Sequence, residues 1–90
     1  MLEFRLIDKS VVKLLSELKN NQVARVKKLD ESCKGFERFR LLDLGVVPGT
    51  EIRIALNNPL NDPIGYWIRG AVIALRKEQS DKILVEIMNE

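Results

Sequence analysis

Any side-chain chemistry in this 90-residue chain has to start from Cys33, because the sequence contains no histidine. The commonest general base and metal ligand is therefore missing. Lys34 would lower the pKa of a neighbouring thiol, but no base stands at nucleophile–base spacing. Cys33 is read as a packing residue, and the chain is not expected to be an enzyme. Asp62, Asp81 and Glu86 are scattered carboxylates, and Asp30 and Glu31 suit a helix N-terminus, where negative charge complements the dipole. A tight metal site needs three or four converging ligands, so no cofactor is expected and a divalent cation would be held only weakly. No GxxxxGK[ST] run is present, which argues against NTP hydrolysis by this chain alone.

Binding is the remaining class. Arg25, Lys27, Lys28, Lys34, Arg38 and Arg40 form a basic cluster, interrupted by Asp30, Glu31 and Glu37. With 15 basic and 13 acidic residues the net charge is only +2, too balanced to imply nucleic acid by charge alone. The cluster is read as a solvated face. The single tryptophan, Trp67, lies out of phase with Ile64, Tyr66 and Ile68, so it faces outward and is free to meet a partner or a loop.

The elements that would position these groups follow from periodicity. Hydrophobic residues make up 46% of the chain and charged residues 31%, which indicates a folded domain rather than disorder. A chain this short buries only about 60% of its unfolded surface, so association with a partner or a second copy is expected. One cysteine cannot form an intrachain disulfide. With no apolar leader and no apolar run of roughly 18 residues, a cytoplasmic location is expected, with no direct membrane insertion.

Leu2, Phe4 and Leu6 alternate as a short strand or arm. Val11, Leu14, Leu15 and Leu18 have helical spacing after Ser10 as cap, and Asn20-Asn21 ends that helix through left-handed backbone. Residues 22–29 read as a strand with Ala24 and Val26 inside. Residues 34–44 read as a helix with a Phe36, Phe39, Leu42 stripe widened by Leu41 and Leu44, and Gly45 as its C′ residue. Val47-Pro48-Gly49-Thr50 is a type II turn, with Pro at the second position and Gly at the third. It leads to a strand with Ile52, Ile54 and Leu56 on one face. Residues 57–63 are a loop held extended before two prolines. Strands follow at 64–68 and 71–75, then one helical turn within 76–82, then a last strand with Ile83, Val85 and Ile87 inside. Five short strands with one inserted helix would leave exposed edges in an open sheet. A small SH3-like five-stranded antiparallel barrel, mainly β, with an N-terminal arm or helix, protects them.

Four stretches carry a family resemblance: LLSELKNNQVARV, RLLDLGVVPGTEIRI, NPLNDPI and RGAVIALRKEQSDKILVEI. In this order they resemble the FeoA family over residues 14–87. The more specific parts are RLxxLGxxPG and the later GxxIALR run. Asn20-Asn21 stands where the family often has Pro-Gly, and Asn61 where Gly is common. Asn is the least costly non-glycine residue in left-handed backbone, so both turns are expected to survive. The resemblance implies a domain at 14–90 preceded by an extension at 1–13. It also implies a cytoplasmic accessory of bacterial ferrous iron uptake, which binds the cytoplasmic GTPase part of a membrane Fe²⁺ transporter and touches Fe²⁺ itself weakly at most. The contact is placed at Pro59, Leu60, Asn61, Asp62, Trp67 and Arg69, with Leu60 as the apolar anchor. Self-association is a further expectation. Two alternatives remain open: a regulatory domain of the metal-dependent transcription-repressor type, and a weak, sequence-independent nucleic-acid binder.

Overall fold

The computed structural model describes residues 12–89; the expected arm at Leu2, Phe4 and Leu6 lies outside them. Six strands form one antiparallel sheet: β1 (Val12–Leu14), β2 (Ala24–Leu29), β3 (Glu51–Leu56), β4 (Ile64–Ile68), β5 (Ala71–Leu75) and β6 (Ile83–Ile87). Their order is β1-β6-β2-β3-β4-β5. Helix α1 (Gly35–Asp43) links β2 to β3, and the single turn α2 (Lys77–Ser80) links β5 to β6. The five expected strands are β2 to β6.

The sixth strand corrects the sequence reading. The segment expected to be helical forms β1 and then a 3-10 turn, Leu15–Glu17. Val12, Lys13 and Leu14 pair with Glu86, Val85 and Leu84, so the open edge of β6 captures this stretch and overrides its helical spacing. In a 3-10 turn residues three apart eclipse, so Leu15 and Leu18 both reach the core. Asn20-Asn21 is also corrected. A turn closes from the Lys19 carbonyl to the Gln22 N–H at 3.0 Å, with neither asparagine in left-handed backbone.

Two bulges curl the sheet. Between Val26 and Lys28 the β2–β6 register slips, which returns Leu29 to the inner face although it lies three residues beyond Val26. Between Ile54 and Leu56 the β3–β4 register slips too, placing Leu56 opposite Gly65 on the outer face. Leu56 is therefore 64% exposed, against the expected inward alternation with Ile52. The curl stops short of the expected closed barrel, since the sheet ends at β1 and β5 without pairing them. Instead the Ser16 hydroxyl, in the 3-10 turn, donates to the Asp81 carboxylate just after α2.

Helix α1 anchors by its C-terminus. Gly45 has φ 102°, its N–H donates to the Leu42 carbonyl, and the Val46 N–H donates to the Leu41 carbonyl at 2.9 Å. This is a Schellman motif, and its apolar pair, Leu41 and Val46, is fully buried. The phenylalanine stripe is corrected: Phe36 is 92% and Phe39 70% exposed. A three-residue repeat drifts around the helix, so Phe36 and Leu42 stand about 120° apart. The Val47–Thr50 turn forms as expected, with Gly49 at φ 96° and the Thr50 N–H donating to the Val47 carbonyl at 3.0 Å. It is held against β2 by Gly49 N–H to the Val26 carbonyl and Val26 N–H to the Thr50 carbonyl, both 2.8 Å. Replacing Gly45 with alanine forces an L-residue into left-handed backbone. Urea unfolding is expected to show a loss of about 1–2 kcal/mol.

Candidate partner-binding surface

The loop between β3 and β4 is built as a rigid turn. The Asn61 N–H donates to the Asn58 carbonyl at 2.7 Å, and the Asn58 side chain accepts the Leu60 N–H at 2.8 Å. Asn61 takes the fourth position with φ 62°, left-handed as its type allows. The turn pushes Leu60 out to 82% exposure, so it does not fold back onto the core. Both ends of the loop are tied down. Asn57 Nδ2 donates to Asn20 Oδ1 at 3.0 Å, and Asp62 Oδ1 accepts the Lys77 N–H at the start of α2, also at 3.0 Å.

Beneath this loop is a cleft of about 580 Å³ at the unclosed side of the sheet, between the 3-10 turn and β4–β5. Leu18, Ile54, Ile64, Tyr66 and Leu75 supply its apolar surface, and Ser16, Asn57, Asn61, Asp62, Lys77 and Ser80 its polar atoms. Burial pushes the Tyr66 phenol above its ordinary pKa, and a hydrogen bond with Ser80 opposes this. At neutral pH the phenol is a neutral hydrogen-bonding group. An apolar floor with a few placed polar groups suits an apolar side chain from another molecule.

The structure distributes the six expected contact residues unevenly. Leu60, Asn61 and Asp62 come together at the cleft, and Pro59 sits exposed beside them in the turn. Asp62 is also engaged as the tether of α2. Trp67 is 45% exposed on the outer face of β4, opposite Arg53 and Val72 in the flanking strands. Arg69 lies at the far end of β4 from the loop, about 16 Å away by strand rise, with its side chain against Gly45. Ser16, Tyr66 and Ser80 were missed as cleft residues. Ser16 had no local signal, since its partner Asp81 is 65 residues away.

The other candidate groups take structural parts. Cys33 is fully buried, and burial pushes its thiol pKa up, which suppresses the reactive thiolate. The Asp30 carboxylate accepts the Ser32 N–H and hydroxyl, and these bonds lower its pKa. Among the described residues no three Cys, Asp or Glu side chains converge as metal ligands. The basic cluster is partly neutralised: Arg25 pairs with Glu51 at 3.4 Å and Lys27 with Glu86 at 3.6 Å, while Arg38 donates to the Cys33 carbonyl. No helix among the described residues is long and apolar enough to cross a membrane.

The FeoA domain family matches residues 13–87. A Porphyromonas gingivalis protein, a fusion of Fe(2+) transport protein A with the Fe(2+) transporter FeoB, is 35% identical over 75 residues. The match covers 83% of this chain and 9% of the fusion, so the chain spans about a tenth of that relative's length. The solution structure of iron(II) transport protein A from Clostridium thermocellum is 39% identical, with a TM-score of 0.77 over 84% of this chain and 46% of that one. Stenotrophomonas maltophilia FeoA, described as a prokaryotic SH3 domain protein and solved with zinc, is 28% identical, with a TM-score of 0.70 over 81% of this chain and 88% of that one. With most of its length matched, and the curled antiparallel sheet in place, this chain belongs to the FeoA family and has its SH3-like fold.

Asp81 sits where the 3-10 turn meets α2. Hydrogen bonds from Ser16 and then Lys77 hold its carboxyl below the ordinary 3.8. A carboxylate with a lowered folded pKa stabilises the native state fully above its unfolded value, and this contribution is lost as pH falls through the lower folded value. Replacing Asp81 with asparagine is therefore expected to flatten the acid limb of a stability–pH curve below about pH 4, measured by urea denaturation. Above neutral pH the variant should be less stable by an offset that no longer changes with pH.

Proposed function

We propose that this chain is a non-enzymatic, cytoplasmic accessory of ferrous iron uptake, which binds the cytoplasmic GTPase part of a membrane Fe²⁺ transporter. The observation that carries this reading is the Porphyromonas gingivalis relative, in which a similar segment is covalently joined to the transporter FeoB. Joining two modules in one chain raises their effective concentration for each other, an advantage when the two parts work in contact. The surface supports the reading through Leu60, an apolar side chain presented at the apex of a turn that is already ordered. Pro59 and Pro63 restrict the loop before binding, so less conformational entropy is lost on contact. Leu60 acts as the anchor, with Asn61 and the cleft beside it to complete the interface. Fe²⁺ is the transporter's cargo and needs no resident site here.

Replacing Leu60 with aspartate is expected to weaken binding to the purified cytoplasmic part of the transporter by about 5- to 30-fold, equivalent to 1–2 kcal/mol. The urea midpoint should stay unchanged, because the side chain is exposed. Full binding by a folded Leu60→Asp protein would move the interface off this loop. No binding by the unaltered chain would remove the reading altogether.

A further inference from the structure

The β5 edge is suited to accepting another strand. Arg69 at φ 52° and Gly70 at φ 85° form the two central residues of a type I′ turn joining β4 to β5. Ile68 and Ala71 flank that turn and exchange backbone hydrogen bonds, so the paired positions along β5 are Ala71, Ile73 and Leu75. The N–H and C=O groups of Val72 and Ala74 then point away from β4. Among the described residues they have no hydrogen-bond partner, and β5 is the last strand of the sheet. Two donors and two acceptors stand open along an edge about 17 Å long. Soluble proteins usually blunt such an edge with a charge or a proline inside the strand, but Ala71–Leu75 carries neither.

The face beside this edge points to the occupant. Trp67 and Val72 are cross-strand neighbours on the outer surface, and Leu56 closes over Gly65 next to them. Arg76 directly follows β5, in phase with Val72 and Ala74, so it stands on the same outer face at the end of the edge. Arg76 is exposed and enters no ion pair among the described residues. The edge is thus apolar along β5 and carries a free cation where β5 gives way to α2. A second copy fits poorly, because residues 69–76 of a facing β5 include no acidic side chain to meet Arg76.

We infer that the β5 edge binds an extended, acidic polypeptide segment by strand addition, as a seventh strand bonded to Val72 and Ala74 with an acidic side chain near Arg76. The inference rests on the reading above only in taking the ligand to be polypeptide. The strand site is separate from Leu60.

The test uses the whole chain with two terminally blocked seven-residue peptides that alternate Val and Thr, one with Glu at both ends and one with Lys. Trp67, the sole tryptophan, reports binding by fluorescence, and amide exchange maps it. The Glu peptide should shift Trp67 emission, slow exchange at the Val72 and Ala74 amides, and bind at least tenfold more tightly than the Lys peptide at low salt. Ala74→Pro removes one outward donor without touching the bonds to β4, so it should fold and bind the Glu peptide at least tenfold more weakly. Arg76→Glu leaves the backbone unchanged and should reduce or reverse the preference between peptides, which keeps the test decisive if Ala74→Pro fails to fold. The proposal is overturned by equal binding of both peptides, by protection mapping to the cleft, or by amides already protected in the free chain. A dimer of the chain alone that Ala74→Pro dissolves would also overturn it, with a second copy as the occupant. The transporter takes no part in this experiment, so its failure leaves Leu60 binding untouched, and the converse holds.

Discussion

The structure depends on the pairing of β6 with strands from the other end of the chain. β6 lies between β1 and β2, so its backbone bonds are satisfied only when the first and last thirds of the described residues meet. The Asn89 side chain extends the same closure. It accepts the Val23 N–H and donates to the Asn21 carbonyl, while the Met88 N–H donates to the Val23 carbonyl. Ile83 and Val85 then complete an inner face with Leu29 and Val26 across from them. Long-range pairing of this kind requires loop closure before any contact compensates, so the sheet forms as one cooperative unit rather than strand by strand.

Around that unit the curvature is set by defects. Each bulge inserts one residue and increases local twist, and each changes which side chains are inside. The first recovers Leu29 for the core. The second turns Leu56 outward, over Gly65, where its apolar surface joins that of Trp67 and Val72. Because the curl does not complete a barrel, an open side remains, bridged by side chains at Ser16 and Asp81 and overhung by the 57–63 turn. The cleft and the exposed β5 edge both follow from the same incomplete closure. A fully paired barrel would have neither.

The two surfaces differ in what they ask of a partner. The loop presents one ordered apolar side chain and asks for a pocket. The edge presents open backbone groups beside Arg76 and asks for an extended, acidic strand. Neither requires a change in the fold, because the loop is tethered at Asn57 and Asp62 and the edge strand is locked to β4 along its whole length. Their rigidity lowers the entropic cost of association.

Much of this was legible locally. Gly45 after a helix, Pro48-Gly49 in a turn, and the alternation through 64–68 and 83–87 each have a cause within a few residues, and each appears where expected. So does the outward Trp67, since period-two alternation leaves it no other face. Elements governed by distant partners were not legible. Residues 12–18 carry helical spacing but become a strand, because an unpaired β6 edge outweighs a weak local preference. Phe36 and Phe39 match a core stripe, yet only the C-terminal turn of α1 packs down, where Leu41 and Val46 meet. The contact residues divide in the same way. The sequence by itself determined the turn that presents Leu60 and the outward face of Trp67. Only the tertiary structure decided that Asp62 would tether α2, that Arg69 would lie against Gly45 at the far end of β4, and that β5 would be left as an edge. These outcomes depend on strand order and bulge placement, which arise from pairings across the whole chain and leave no mark in any short stretch of it.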